Sequence, residues 1–359
     1  VNTYEYSYYD NGLLQKEVNA IGNVTVYSYN AQMLLETMID SAGEETTYTY
    51  DSLNRISRVK DECGYITYVY DTNNNIKEVI ESDSLAEALL NQGKKIHRAY
   101  DSLNRIISYK DYKDREIKYS YNDLGYLDTM TYPDGAVAKY TYYNDGLMET
   151  MTFTSSSGGT GYTWEYEYGS YGRLQKIKRP DGTEEERKYN PSGTLKSQTD
   201  TYEKDKIKTI IQQNDYKYNV FGEIIEKATS QTGNVAELTV VSMTYNDANR
   251  LETYHSQPVQ YDQKGNMTYG PVNGDLSTLT YDSRNRLTSA GGVTYGYDAE
   301  NNRISSTENG LVTEYVTDTS GSLSQLLVAY EPDNTRTLYI YGAEGLAGQY
   351  KTGTGERLY

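Results

Sequence analysis

The chain has 359 residues and a formal charge of −17, and its apolar content of 36% lies below the roughly 45–50% of ordinary globular domains. A surface so acidic repels phosphate backbones and anionic lipid head groups, which argues against nucleic-acid and acidic-membrane partners. The low apolar content argues against a large oily core. Tyr supplies 42 residues while Phe supplies 2 and Trp 1. Tyr displaces Phe where one end of the ring is packed and its hydroxyl is wet or hydrogen-bonded. A thin sheet, one layer thick with water near at least one side, is the expected outcome. Cys63 stands alone, so no internal disulfide forms. No apolar run approaches the ~20 residues of a membrane-spanning helix, and no membrane insertion is expected. Val1 carries no signal peptide before it, and Tyr359 falls where another strand begins, so the chain reads as a piece of something longer.

One unit recurs along the chain. Tyr50-Asp51-Ser52-Leu53-Asn54-Arg55-Ile56 returns almost unchanged from Tyr100 and again from Tyr281, and looser copies begin at Tyr8, Tyr29, Tyr70, Tyr121, Tyr142, Tyr168, Tyr189, Tyr218, Tyr245, Tyr261 and Tyr297. Of the 14 copies, 13 carry Gly or Asn four residues after the Tyr, Met33 being the exception. These turn positions include Gly12, Asn54, Asn104, Gly125, Gly146, Gly172, Gly193, Gly222, Asn249, Gly265 and Asn285. Gly and Asn tolerate the left-handed backbone best, and the Asp or Asn after the Tyr can hydrogen-bond the backbone two residues on. A type I turn followed by a left-handed residue closes a short hairpin with a bulge. Upstream, Tyr-x-Tyr pairs such as Tyr48/Tyr50 and Tyr166/Tyr168 place both rings on one face of a strand. Each copy therefore predicts strand, tight turn, strand.

In chain order, the anchors from Tyr8 to Tyr70 fall 20 or 21 residues apart, with a second turn between them at 20–23, 40–43 and 61–64. Later second turns, 132–135 and 179–182, carry Pro, which presets the turn's φ. The spacing stretches between Tyr70 and Tyr100. There Ser84-Leu85-Ala86-Glu87 fits a capping box and Leu85, Leu89 and Leu90 share a helical face, predicting one short inserted helix near 84–92 of about two turns. It is either a decorative insertion or a partner-binding helix. Residues 154–163 are a Ser/Gly-rich loop, and its neighbour Trp164 is either a surface aromatic of the repeat or a ligand platform. Longer hairpins are expected over 196–218, with Ile207, Ile210 and Ile211, and over 225–245, with Leu238, Val240 and Val241. The segment Tyr339–Leu346 is a variant of the unit. No linker of altered composition appears, so residues 1–359 read as a single repeat domain.

The candidates for chemistry are few. His97 and His255 are the only histidines, and neither has Cys or a second His nearby, so no metal-ligand spacing exists and a triad would rest on chance. Glu184, Glu185 and Glu186 invite a glycosidase reading, but a solvated strand-edge charge run explains them. Asp71-Thr72-Asn73-Asn74-Asn75 could hold calcium, but turn formation accounts for it. No Gly-rich phosphate loop opens a helix. No enzyme, cofactor or metal is expected.

A single hairpin is marginal in water, so neighbouring units must pair edge to edge. The fold class read from the sequence is all-β: a continuous spiral of antiparallel hairpin repeats forming a curved, partly hollow shell or solenoid. Tyr-Asp-x-x-Gly-Arg-Leu at about 20-residue spacing resembles the YD repeat of the Rhs family, also found in the C component of Tc toxins and in teneurins. Arg follows the left-handed position at Arg55, Arg105, Arg173, Arg250 and Arg286. The resemblance implies a β-cocoon enclosing a C-terminal toxin domain of a secreted or bacterial surface protein, with that domain or neighbouring repeats of the same parent chain as partners. A cell-surface adhesin or carbohydrate-binding repeat protein, with glycans or a cell-surface receptor as partner, is the alternative. The Asp-Pro-x-Gly-Leu cleavage signature of the Rhs core is not present, so release chemistry is assigned to no residue.

Overall fold

The computed structural model describes residues 3–204, 206–231, 242–246, 250–321, 323–353 and 357–358. The expected strand residues Leu238, Val240 and Val241 and the expected turn residue Asn249 lie outside this set. The fold is all-β, with one short α-helix and one 3₁₀ turn among the described residues. It divides into two compact units, Val1–Arg115 with Thr239–Asn334, and Glu116–Leu238 with Thr335–Tyr359.

In the first unit the strands from Glu5–Tyr8 to Ile106–Lys110 follow one another as a meander, each pairing antiparallel with the next. The later stretch meanders likewise from Gln260–Tyr261 to Gln325–Tyr330. The second unit holds a meander from Glu116–Tyr121 to Ile224–Gln231, and a hairpin of Arg336–Gly342 with Gly345–Lys351. The long hairpin expected over 196–218 is present as Leu195–Lys204 paired with Ile207–Tyr218.

The turns follow from the motif. At Asp51 the Asn54 N–H donates to the Asp51 carbonyl at 3.0 Å, and the Asp51 N–H donates to the Arg55 carbonyl at 2.9 Å. Strand register jumps from Thr49↔Arg58 to Tyr50↔Ile56, leaving Ser57 as the extra residue of a bulge. The same jump falls at Tyr8, Tyr29, Tyr70, Tyr142, Tyr168, Tyr189, Tyr218, Tyr261, Tyr281 and Tyr297. Positive φ is found at Gly12, Asn54, Asn104, Gly125, Gly146, Gly172, Gly193, Gly222, Gly265 and Asn285, and also at Met33 (φ 63).

A single wet layer does not describe either unit. In the second unit alternate residues of Val137–Tyr142 and Tyr162–Tyr168 are buried, so Tyr140, Trp164 and Tyr166 enter a core with Met151 and Phe153. The 336–351 hairpin covers that face: Leu338 and Ile340 are buried, the Tyr132 hydroxyl donates to the Tyr339 carbonyl at 2.8 Å, and the Phe153 and Tyr350 rings lie 5.8 Å apart. Composition understates such a core because Tyr rings supply much of it, buried by their faces with the hydroxyl bonded at the edge.

The inserted helix spans Leu85–Leu89, shorter than the two turns expected. Its capping box is formed: the Glu87 N–H donates to Ser84 Oγ at 3.3 Å and the Ser84 N–H to Glu87 Oε2 at 3.2 Å. The face turned inward is not the leucine face. Ala88 is buried, whereas Leu85, Leu89 and Leu90 are exposed. Gly93 ends the segment at φ 133, where a Cβ would lie 2.0 Å from the Glu81 carbonyl oxygen, so no larger residue fits there.

Candidate functional site

The element repeated most often is the junction between successive hairpins, and each motif residue has a part in it. The anchor Tyr hydroxyl donates to the first carbonyl of the preceding return strand: Tyr50 to Leu35, Tyr70 to Ile56, Tyr100 to Ile76, Tyr142 to Leu127, Tyr189 to Leu174, Tyr218 to Leu195, Tyr261 to Leu251 and Tyr297 to Leu287, at 2.7–2.9 Å. Those carbonyls belong to the Leu or Ile six residues after the previous anchor. The Asp after the anchor caps its own turn, as Asp51 Oδ1 does for the amides of Leu53 and Arg55 at 2.8 and 3.0 Å. The Arg then closes the set. Arg55 Nε donates to Asp51 Oδ2 at 2.7 Å while its guanidinium lies 4.2 Å from the ring centre of Tyr70, the next anchor. Arg173, Arg250 and Arg286 stack likewise on Tyr189, Tyr261 and Tyr297, at 5.8, 4.7 and 5.2 Å.

In two copies a second Tyr adds a junction contact of its own. Tyr9 and Tyr143 stand in the Asp position; their hydroxyls donate to the carbonyls of Tyr27 and Tyr166, and their rings meet Tyr29 and Tyr168 edge-on at 6.2 Å. The Arg55 and Leu53 amides and the Arg55 guanidinium hold the Asp51 carboxyl below its usual range, and Asp101 is held low in the same way by Arg105 and Leu103.

A second class of contact joins stretches of one unit far apart in sequence. In the first unit Lys264 Nζ meets Asp40 at 2.7 Å and Glu44 at 2.6 Å, and Arg284 meets Asp61 at 2.6 Å and Glu81 at 3.3 Å. Arg98 pairs with Glu300, and Lys113 and Arg115 with Glu314. Burial would raise the Asp40 carboxyl, but hydrogen bonds from Lys264 and from the Glu44 and Ala42 amides outweigh it and hold the group low.

The residues that invited catalytic readings are placed as follows. The run Glu184–Glu186 is not a solvated edge. Strand alternation puts Glu184 and Glu186 on one side with Lys176 and Lys208, and buries Glu185 between Arg179 and Arg187, each at 2.6 Å. Arg179 also meets Asp200 at 3.1 Å, and Arg187 meets Glu344 at 3.1 Å. Burial pushes the Asp200 carboxyl up despite Arg179. A cavity of about 220 Å³ lies here, walled by Trp164, Tyr166, Arg179, Glu185 and Arg187. Every charge in that wall already faces an opposite one.

Trp164 is 1% exposed and belongs to the core, neither a surface aromatic nor a platform. His97 Nδ1 lies 3.5 Å from Glu78, and His255 packs edge-on against the Tyr254 ring. Asp71 spends Oδ1 on the amides of Asn73 and Asn75 and Oδ2 on the Asn75 side chain, which is turn formation, not a calcium cradle. Among the described residues no group of three or more His, Cys, Asp and Glu is arranged to hold a metal ion, and no helix is long and apolar enough to cross a membrane.

Hairpins tied in series by turn caps, tyrosine hydroxyls and ion pairs define a β-repeat fold. Residues 100–137 match the RHS Repeat family. That stretch holds the repeats led by Tyr100 and Tyr121. The fold of the chain is similar to the crystal structure of TcdB2-TccC3-Cdc42, at 12% identity and a TM-score of 0.54, covering 97% of this chain and 22% of that one. It is similar also to TcdB2-TccC3-TEV, at 13% identity and a TM-score of 0.52, over 97% and 21%. A Tc holotoxin pore of Photorhabdus luminescens aligns over 96% of this chain and 24% of that one, at 14% identity and a TM-score of 0.48. The chain thus spans about a fifth of the length of the structures it matches. No curated protein sequence matches it.

Proposed function

We propose that the chain is a scaffold, part of a β-cocoon that encloses or presents a C-terminal toxin or effector domain of a secreted or surface-exposed polymorphic toxin. The observation that carries this reading is the RHS repeat joined to a fold shared with TcdB2-TccC3 over nearly the whole chain. The junctions support it: tyrosine, aspartate and arginine are consumed in holding strand to strand, as a wall requires. The adhesin reading has less to stand on, since many anchor rings that would stack on sugars instead lie under arginines and point their hydroxyls at backbone carbonyls.

The test is protease protection in the full-length gene product. The reading expects a domain following the repeats that resists protease while the repeats are folded and is cut once they are unfolded. Cutting at the same rate with the repeats folded or removed, or the lack of any such domain, would overturn it.

A further inference from the structure

Strand register sets one copy of the repeat apart. Opposite each anchor Tyr stands the residue six places on. In 13 of the 14 copies it is Leu, Ile or Met, as in Tyr50↔Ile56, Tyr142↔Met148 and Tyr281↔Leu287. In the copy led by Tyr297 it is Arg303. The turn of that copy is otherwise regular: Asn301 holds positive φ, and Asp298 Oδ1 accepts from the amides of Glu300 and Asn302. A cation therefore fills a place that the repeat gives to an aliphatic side chain.

Nor does this arginine have the partner that the repeat gives its arginines. In the copy before, Arg286 stands five places after its anchor, and its Nε donates to Asp282 Oδ2 at 2.7 Å. Here Asn302 has that place and donates to Asp298 Oδ2 at 3.0 Å, and the arginine stands one residue further on. Among the described residues Arg303 meets no carboxylate; beside it lie the rings of Tyr295 and Tyr315, 5.3 and 5.5 Å from the guanidinium. Rings hold a guanidinium through its charge and leave its N–H donors unspent.

Arg303 lines an open cavity of about 290 Å³ within the first unit, together with Asn301, Tyr315, Thr317, Ser324 and Leu326. In a chain of charge −17, the described wall of this cavity carries one cation and no carboxylate. Thr317, Ser324 and Asn301 add neutral hydroxyls and an amide, and Ser324 Oγ is held by donating to Asn302 Oδ1 at 3.1 Å.

We infer that this cavity binds a small hydroxylated monocarboxylate, its carboxylate taken by the Arg303 guanidinium and its hydroxyls by Thr317, Ser324 and Asn301. The fork of a guanidinium matches the two oxygens of a carboxylate. One cation balances a monoanion and leaves a phosphate dianion half uncompensated. Hydroxyl and amide groups in the wall call for hydroxyls on the ligand, since an alkyl chain would leave them unbonded. The inference is independent of the scaffold reading: it concerns one copy of the repeat and holds whatever the parent chain encloses.

The test is calorimetric titration of the 359-residue chain with sodium gluconate. Glucitol, which has the hydroxyls without the charge, and inorganic phosphate, which has the charge without the carbon frame, are titrated beside it. Gluconate is expected to bind with a Kd of about 1 mM or tighter, and the other two at least about tenfold more weakly. Arg303→Leu, which restores the aliphatic residue of the other copies, is expected to weaken gluconate binding at least about tenfold without lowering the melting temperature. Arg303→Gln, neutral and of similar length, should weaken it as much, which separates loss of the guanidinium from any repacking around leucine. Absence of gluconate binding, undiminished binding by both variants, or glucitol or phosphate bound as tightly as gluconate would overturn the inference.

Discussion

Tyrosine leads the repeats because its hydroxyl has a fixed acceptor, the carbonyl that opens the previous return strand. Phenylalanine would fill the same space and leave that carbonyl without its donor. Tyr189→Phe, which removes the 2.7 Å bond to Leu174, is expected to cost about 0.5–1.5 kcal/mol in urea unfolding, whereas Tyr171→Phe, at a 91% exposed site, should cost nothing measurable. Met33 makes the converse point: it holds φ 63, a conformation that favours Gly or Asn. Met33→Asn is expected to stabilise the chain by about 0.5–1 kcal/mol, read as a raised urea midpoint at constant slope. The turn chemistry was legible in the sequence, since Asp, Asn and Gly report their own local backbone. The part played by arginine was not, because Arg55 acts on Tyr70, and nothing within one repeat shows that contact.

At the scale of strands, helix and layers, period-two alternation explains what a run of like residues concealed. Glu184–Glu186 reads as one acidic patch on paper, yet its middle member lies on the opposite face and is sandwiched by two arginines. The helix is a similar case: its capping box was readable from Ser84 and Glu87, but which face turns inward depended on neighbouring strands. Layer contacts were beyond the sequence altogether, because residues such as Asp61 and Arg284 are 223 positions apart. Both of those side chains are largely buried, so Arg284→Met, which strands the Asp61 carboxylate, is expected to cost about 3 kcal/mol in unfolding free energy.

Asp298 gives a prediction of the opposite sign. Burial pushes its carboxyl above the usual range, against the hydrogen bonds of Asn302. The folded state therefore holds the proton more tightly than the unfolded one, and stability falls as pH rises from the unfolded value of about 4 through the raised folded value. Asp298→Asn keeps the acceptor for the Glu300 and Asn302 amides, as Asn30 and Asn122 do in sister turns. Its melting temperature at pH 7 is expected to equal or exceed that of the parent, and the fall across that pH window to shrink. Groups held low, such as Asp40, work the other way, and their contribution is lost as pH drops below about 4.

For the whole molecule, the account is that about twenty residues at a time form a hairpin, that eight of the anchors tie their hairpin to the last by a tyrosine hydroxyl, and that charged side chains at the turns fasten one stretch onto another within a unit. Such contacts are mostly local along each meander, which favours propagation from neighbour to neighbour. A net charge of −17 opposes compaction, and the cations at the apices and after the turns are set where they offset it. The all-β class was readable because the motif repeats. The buried tyrosine-rich core was not, because tyrosine counts as a surface residue until its hydroxyl is given a partner.

Amide hydrogen exchange followed by mass spectrometry along the full chain tests this most directly. The account predicts protection that rises on every strand and drops at every turn, so that two dips fall within each repeat of about 20 residues in the regular stretches of both units. Protection confined to a few separate blocks with unprotected repeats between them, or continuous protection with no such period, would contradict it.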